Sequence, residues 1–532
     1  MYKHFIVTII FLLSIIYSAV LLAQYPNIRI SNLDSSDPEE VTIAINLINP
    51  DNLAAGANIS YYYYSFDGGL SWTEGRLTSS LGVWGDPCVV FDANGDLYFG
   101  HLSYLRVTDN DWLDRIVVQR STDGGKTWDN GMGVGLNPPK DQDKEWLAVD
   151  LTNSPYRNRK YMAWTEFDKY GSLDPNDSTR ILFSYAAQTR WSDPIRISDK
   201  GGNCLDGDNT VEGAVPAVGP NGEVYISWSG PLGIMFDKST DGGKTFGKDI
   251  FVTSQPGGWA FDIPGISRCN GMPVTACDIS NSQYRGTIYI LWSDQRNGID
   301  NTDVFLIKSA DSGETWSEVK RINDDNSGRH QFFPWMTVDP ITGNIYIVFY
   351  DRRNTIGNET EVYVAKSIDG GETFENFKVS DLPFTPKANI FFGDYTNIAA
   401  YNGMVYPIWM RMDGDQLSVW TAILADTIAT RISDAILFPI DDFKSAQNYP
   451  NPFNMSTKIK FTLKTISQVR IDIFNMQGRH VRQLVNKKYG VGAFEIDWNG
   501  MDDSYHTVAS GVYLYRIRIA DGEITRKMIL LR

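Results

Sequence analysis

The chain has 532 residues with 48 basic and 64 acidic side chains, a formal net charge of −16 that argues against nucleic acid as a partner. Hydrophobic residues make up 42% and aromatics 13%, alongside 46 Gly and 23 Pro. That supply of apolar side chains and turn formers excludes disorder and coiled coil, and the length suits about two to four domains.

In chain order, Lys3 and His4 precede an apolar run from Phe5 to Leu22, followed by Ala23-Gln24 and a polar Tyr25-Pro26-Asn27. This reads as a signal peptide over residues 1–23, with a membrane anchor as the alternative. No other stretch reaches the roughly 20 apolar residues of a membrane span, so an exported chain without a transmembrane anchor is expected.

Export implies an oxidising compartment for Cys88, Cys204, Cys269 and Cys277. Cys88 and Cys277 lie in apolar strand-like runs and read as buried free thiols. Cys204 and Cys269 lie in Gly-rich loops at similar points of successive repeats, and a Cys204–Cys269 disulfide is expected.

An octapeptide, Ser-x-Asp-x-Gly-x-Thr/Ser-Trp/Phe, recurs at Ser65–Trp72, Ser121–Trp128, Ser239–Phe246, Ser309–Trp316 and Ser367–Phe374. The aspartates Asp67, Asp123, Asp241, Asp311 and Asp369 are 56, 118, 70 and 58 residues apart. The double interval hides a degenerate copy, Phe183 to Trp191. Such a period marks a propeller or solenoid. Each octapeptide follows a predicted hairpin, as in Trp335-Met-Thr-Val-Asp, Pro-Ile-Thr-Gly, Asn344-Ile-Tyr-Ile-Val-Phe-Tyr-Asp351. With a strand on either side of the octapeptide, each unit has the four antiparallel strands of a propeller blade. Hairpin counting gives six or seven blades over residues 24–430, with seven favoured, the last carrying Ser418-Val-Trp-Thr-Ala-Ile-Leu and no octapeptide.

The octapeptides resemble the Asp-box, or bacterial neuraminidase repeat, of sialidase-like propellers. Their aspartates are read as structural, because a short carboxylate can accept backbone N–H bonds across a tight turn that Gly permits. Gly-Gly-Lys-Thr at 124–127 and 242–245 looks like the end of a phosphate loop, but Arg120 and Lys238 stand where that motif needs its first Gly.

Residues 431–445 read as a linker. Residues 446–532 carry 13 basic and 7 acidic side chains, a net of +6, whereas residues 1–445 carry 35 and 57, a net of −22. Alternating strands such as Lys458–Leu463 and Val469–Phe474 predict a small all-β, Ig-like sandwich. Asn448-Tyr-Pro-Asn-Pro-Phe-Asn454 and the final Lys527-Met-Ile-Leu-Leu-Arg532 resemble the type A C-terminal sorting domain of the type IX secretion system. That resemblance implies the type IX machinery as a partner and a secreted or outer-surface location. A carbohydrate-binding sandwich is the alternative.

Asp boxes occupy the turns between third and fourth strands, so a site is expected on the opposite face of the propeller, near its axis. The loops there hold Glu166 and Asp168; Asp206, Asp208 and Glu212; Trp259 and Arg268; Asp294 and Arg296; Arg329 and His330; Asp351, Arg352 and Arg353; Asp394 and Tyr395; and Arg411. The sialidase resemblance implies an arginine triad on a sugar carboxylate, a Tyr/Glu pair as nucleophile and an Asp as acid/base. Candidates are Glu212, Tyr350, Tyr395 and Asp394 for catalysis, and Arg268, Arg296, Arg352, Arg353, Arg411, Trp259 and His330 for substrate, with Arg29 in Ile28-Arg29-Ile30-Ser31 echoing the family's early arginine motif. The competing reading makes the arginines latches between blades, as in Asp294-Gln-Arg296 and Asp351-Arg-Arg353. Asp206 and Asp208 are candidate calcium ligands, although neither functional reading requires a cofactor.

Two classes of function remain: a glycoside hydrolase of sialidase-like type, and a non-catalytic surface propeller binding polysaccharide or protein. Arginines gathered around a tyrosine in a central pocket favour the first. Arginines each paired with their own blade's Asp favour the second.

Overall fold

In a computed structural model, residues 25–531 are described apart from 106–111, 188–189, 427–442, 446–447, 449, 464–466, 476–478, 491, 505 and 520–521. The expected signal peptide lies outside the described residues. Two compact units emerge, divided between Ile432 and Ser433.

The first unit is a seven-bladed β-propeller. Six four-stranded antiparallel sheets follow one another, with strands in chain order from the innermost outward. Their inner strands are Thr42–Ile45, Cys88–Phe91, Asp141–Val149, Glu212–Val218, Val274–Cys277 and Gln331–Val338. The seventh sheet takes Asn397–Tyr401, Met404–Asp413 and Gln416–Ala422 from the end of the unit, and Asn27–Arg29 from its start as the outer strand. Each inner strand packs on the next, and Asn397–Tyr401 closes on Thr42–Ile45, so the sheets surround one axis. The missing seventh octapeptide has a topological cause. In blade 7 no turn links third and fourth strands, because the fourth comes from the other end of the chain.

Second strands are buried on both sides because blades stack face to face. Four repeat a Tyr-x-x-Trp pattern, Tyr161/Trp164, Tyr225/Trp228, Tyr289/Trp292 and Tyr406/Trp409, and none of these tryptophans is more than 1% exposed. Blade 6 uses Tyr346/Phe349 and blade 2 Tyr98/His101, whose imidazole is wholly buried.

All five octapeptides form the expected turns. In blade 2, Asp123 accepts from the Ser121 hydroxyl at 2.8 Å, the Thr127 amide at 2.9 Å and the Thr127 hydroxyl at 2.6 Å. Gly243, in the blade 4 turn, has φ +86°, and a Cβ there would lie 2.7 Å from the Phe183 ring of blade 3. The turn therefore packs one blade on the previous one as well as reversing the chain. We expect Asp241→Ala to cost about 1 kcal/mol, the loss of a partly solvated carboxylate that accepts bonds within its own turn. Gly243→Ala is expected to cost about 2 to 3 kcal/mol through overpacking and a disfavoured φ. Urea unfolding of the two variants checks the order.

The second unit is a β-sandwich, with one sheet of Phe443–Ser445, Thr457–Leu463 and Gly492–Trp498, and another of His480–Tyr489, Ser467–Asn475, Gly511–Ile519 and Gly522–Leu530. Its core takes Ile459 and Trp498 from one sheet and Ile471, Tyr515 and Met528 from the other. Phe443–Ser445 belongs to this sandwich, so its sheet begins inside the segment expected as linker. The two terminal motifs of the tail meet: the Phe453 amide donates to the Ile529 carbonyl at 2.9 Å, and the Leu531 amide to that of Phe453 at 2.8 Å.

Candidate functional site

A left-handed residue at the inner end of an inner strand, two positions before a side chain of that strand, is the recurrent element of the site. Asp86 precedes Cys88, Lys144 precedes Trp146, Gly213 precedes Val215, and Phe333 precedes Trp335. All four have left-handed backbone, with φ of 48° at Asp86, 52° at Lys144, 76° at Gly213 and 48° at Phe333. In the inner strands Asp141–Val149, Glu212–Val218 and Gln331–Val338 the residue sits in a β-bulge. Bulges re-aim side chains. All four residues, with Asp394, line one axial cavity of about 530 Å³, open mouth included.

One wall of that cavity is aromatic. Trp146 and Trp335 have ring centroids 4.2 Å apart, and Tyr395 lies 5.6 Å from the first and 5.8 Å from the second. The other wall is charged. Lys144 donates to Asp394, lies 3.2 Å from Asp86 and 3.6 Å from Glu40, and is 8% exposed in its side chain. Arg268 joins Asp394 to Asp206, with Nε 2.9 Å from Asp394 Oδ1 and Nη1 2.9 Å from Asp206 Oδ2. Asp394 thus sits between two cations. Burial pushes its pKa up, but Lys144 and then Arg268 outweigh that and hold it well below the usual carboxylate range.

The surrounding carboxyls behave oppositely. Burial, reinforced by neighbouring anions, pushes Glu40, Glu145 and Glu212 well above the carboxylate range. Both carboxyl oxygens of Glu145 and of Glu212 are buried without a hydrogen-bond partner. Burial, then the charge of Asp86, pushes Asp143 up to about 7, while burial and then Asp37 push Glu39 up to about 8.

These shifts set a pH dependence of stability. Glu39 and Asp143 keep protons in the folded chain that the unfolded chain gives up above about pH 4, so folding weakens as pH rises through 7 and 8. The imidazoles of His101 and His330, lowered to about 4 chiefly by burial, work the other way, but only below about pH 6.5. We expect the thermal midpoint to fall from about pH 6.5 to 8. A midpoint that rises over that window in thermal scans contradicts the assignment.

Of the candidates from sequence, Glu212, Asp394, Tyr395 and Arg268 meet at the axis. Tyr350 does not. It is fully buried among Phe332, Phe333, Phe384 and Phe392, and its hydroxyl donates to the Met410 carbonyl at 2.8 Å and accepts from the Met410 amide at 3.0 Å. It ties blade 6 to blade 7.

The other arginines serve as latches. Arg296 grips Asp294 with Nε at 2.9 Å, Arg353 grips Asp351 at 2.7 Å, and Arg411 bonds Asp413 at 2.8 Å while lying 3.6 Å over the Trp420 ring. Arg352 is 1% exposed and donates to the Pro264 carbonyl at 2.8 Å. Burial, then Arg329, lowers its pKa to about 10. Arg29 is in the outer strand of blade 7, with Nε donating to the Ser31 carbonyl at 3.0 Å. Trp259 is buried and donates to the Thr210 carbonyl, and His330 pairs with Thr302. Glu166 and Asp168 share Arg180 and Lys140.

The expected disulfide is corrected: all four cysteines are buried free thiols. Cys269 pairs with Phe261 in a two-stranded ladder, whereas Cys204 lies in a turn where its carbonyl accepts from the Gly171 amide. The similar loop positions did not bring the sulfurs together. Asp206 accepts from Tyr170 and Arg268, while Asp208 accepts from the Ala260 amide at 2.8 Å. Among the described residues, no three His, Cys, Asp or Glu side chains are grouped to hold a metal ion.

Reading loops for charge missed Glu40, Asp86, Lys144 and Glu145, which precede or begin inner strands. Their signal is positional: the place before the strand, repeated blade after blade.

Residues 447–531 match the secretion system C-terminal sorting domain, and residues 63–74 match the BNR/Asp-box repeat. The chain is an Asp-box propeller with a type IX secretion sorting domain. Its destination is accordingly the cell surface or the medium. Among the described residues no helix is long and apolar enough to cross a membrane. No curated protein matches the chain. Solved structures similar to it include a Trypanosoma rangeli sialidase, 11% identical over 86% of this chain and 85% of that one, with a TM-score of 0.41. A Penicillium chrysogenum α-L-arabinanase is 12% identical over 76% and 98%, with a TM-score of 0.40. A Dyadobacter fermentans protein of unknown function is 12% identical over 76% and 98%, with a TM-score of 0.42. Those activities belong to those proteins, and the propeller assignment here stands on the order and packing of the sheets.

Proposed function

We propose that the axial cavity binds a sugar residue of an extracellular glycan, and that the protein is a recognition propeller at the cell surface or in the medium. One observation carries the reading: within a single cavity, the aromatic wall of Trp146, Trp335 and Tyr395 stands beside the polar wall of Asp86, Lys144, Glu145 and Asp394. A pyranose presents an apolar C–H face and a rim of hydroxyls, and such a site stacks the face and hydrogen-bonds the rim. A carboxylated sugar finds less support. Arg296, Arg353 and Arg411 are bound to Asp294, Asp351 and Asp413 of their own blades, which leaves Arg268 as the arginine in the cluster.

A hydrolase is the second reading, favoured by two carboxyls in one cavity driven in opposite directions, Asp394 toward the ionised form and Glu145 toward the acid. Titration calorimetry against polysaccharides, with a fluorogenic glycoside panel that includes sialosides, separates the readings. The expected result is binding weakened at least about tenfold in Trp335→Ala, a loss of about 1.4 kcal/mol, without turnover. Sialoside turnover overturns the proposal. Turnover of another glycoside, abolished in Asp394→Asn, establishes the hydrolase.

A further inference from the structure

We propose that the axial cavity selects a sugar with a free, protonated amino group: a de-N-acetylated hexosamine unit of an extracellular polysaccharide. The inference rests on the glycan reading and narrows it.

Its first support is charge. Among the described residues, the carboxyls of Glu40, Asp86, Asp143, Glu145, Asp206, Glu212 and Asp394 gather around two cations, Lys144 and Arg268, and burial with mutual repulsion holds Glu40, Glu145 and Glu212 toward the acid until a further cation arrives. Both cations are committed, Lys144 to Asp394, Asp86 and Glu40, and Arg268 to Asp394 and Asp206.

Its second support is independent of the charge count. Glu145 lines the cavity and is 2% exposed, Glu212 precedes the lining residue Gly213 and is 0% exposed, and the carboxyl oxygens of both are without a hydrogen-bond partner. Buried carboxyls without donors are costly and uncommon in native proteins, and they mark places where a missing partner belongs. An ammonium brings three donors and a full charge.

The aromatic wall suits the same group. Cations are attracted to the faces of Trp and Tyr rings, and Lys144 Nζ already lies 6.0 Å from the centre of the Tyr395 ring. An N-acetyl group removes the charge and two of the donors. A sugar carboxylate brings no donor to Glu145 or Glu212 and sets an anion beside the ionised Asp394. A neutral hexose can stack but brings no charge to draw the protons from Glu145 and Glu212.

The test uses the full chain and two ligands of equal length, an oligosaccharide of β-1,4-linked glucosamine and its fully N-acetylated counterpart. Calorimetry is run at about pH 6, where such an amine is charged. The aminated ligand is expected to bind at least about tenfold tighter, an advantage that shrinks as salt is raised. Glu145→Gln and Glu212→Gln, with folding checked by thermal melting, are each expected to reduce that preference several-fold. Trp335→Ala keeps the net charge and is expected to lose binding. Aminated binding that survives Trp335→Ala unchanged comes from the acidic surface at large and overturns the proposal. Equal or tighter binding of the N-acetylated ligand overturns the amine preference and leaves the glycan reading standing. Failure of both ligands and of a panel of neutral glycans overturns both. A preference intact in both Gln variants overturns its assignment to these carboxyls.

Discussion

Asp394→Ala is expected to destabilise the propeller by about 3 kcal/mol and to abolish binding at the axis. The side chain of Asp394 is 3% exposed and accepts from both Lys144 and Arg268, while its backbone carbonyl accepts from Asn270 Nδ2 at 3.0 Å. Removing the carboxylate leaves the Lys144 ammonium, 8% exposed, with Asp86 at 3.2 Å and Glu40 at 3.6 Å, neither of them as close as Asp394. A buried charge left with longer and fewer pairings is what makes such a deletion expensive. Arg268 softens the loss, because 43% of its side chain is exposed and water can take over part of its pairing. Asn at the same place keeps shape and one acceptor, so Asp394→Asn is expected to cost roughly half as much. If the cost comes from stranding Lys144, the double variant Asp394→Ala/Lys144→Met will be less destabilised than the sum of its singles, with a coupling of at least about 1 kcal/mol. Urea midpoints measure all four chains. Additive singles, or a single Asp394→Ala as stable as the parent, show that the network does not hold the axis together.

Much of the fold was legible because its signals are local. A Ser-x-Asp-x-Gly turn makes its bonds within eight residues, so five copies announce five third-to-fourth strand turns wherever they fall. The hairpin before each turn is a run of strand formers broken by Gly, Pro or Asn, again a short-range pattern. What escaped was long-range. Ile28-Arg29-Ile30 echoes a family motif in sequence, but in the structure Asn27–Arg29 completes blade 7, opposite residues nearly 400 positions away. Asp394, Tyr395, Glu212 and Arg268 were found because charge in loops on the expected face stands out. Lys144 and Glu145 were not, since Asp-Gln-Asp-Lys-Glu at 141–145 has no apolar residue to mark it as the bulged start of an inner strand. An arginine's latch is local in sequence, while its reach to the axis is not: Arg296 and Arg353 bond an aspartate two residues away, whereas Arg268 bonds Asp394 and Asp206 from far along the chain. The Asp two residues before Arg296 announces its latch in the sequence, and Arg268 has no acidic residue so near, but the partners it does reach are not announced.

Deleting the first strand is the other change with a large expected effect: a chain beginning at Asn32 should lose about 4 to 5 kcal/mol and its single sharp unfolding transition. Asn27, Ile28 and Arg29 pair with Ala422, Thr421 and Trp420. Beyond the ladder, the Ile30 amide donates to the Val419 carbonyl at 2.8 Å, and the Ser31 hydroxyl accepts from the Val419 amide at 3.0 Å. Asn27 also ties blade 7 to the end of blade 6, through Val379 at 2.8 Å and the Asp381 amide at 2.8 Å. At a net contribution of about 1 kcal/mol per bond, these contacts account for the estimate. The loss of cooperativity follows from topology. Each blade buries its faces only on its neighbours, so a ring behaves as one unit while it is closed, and as a row of repeats with a frayed end once opened. Without residues 27–31, blade 7 keeps three strands, and the joint between the two ends of the ring relies on Asn397–Tyr401 packing against Thr42–Ile45. Asn27→Ala, which removes two of the bonds and keeps the strand, should cost only about 1 to 2 kcal/mol and leave the transition sharp. Calorimetric scans of both forms decide the matter: a truncated chain that melts in one transition at the parent temperature would mean that the inner strands alone close the ring.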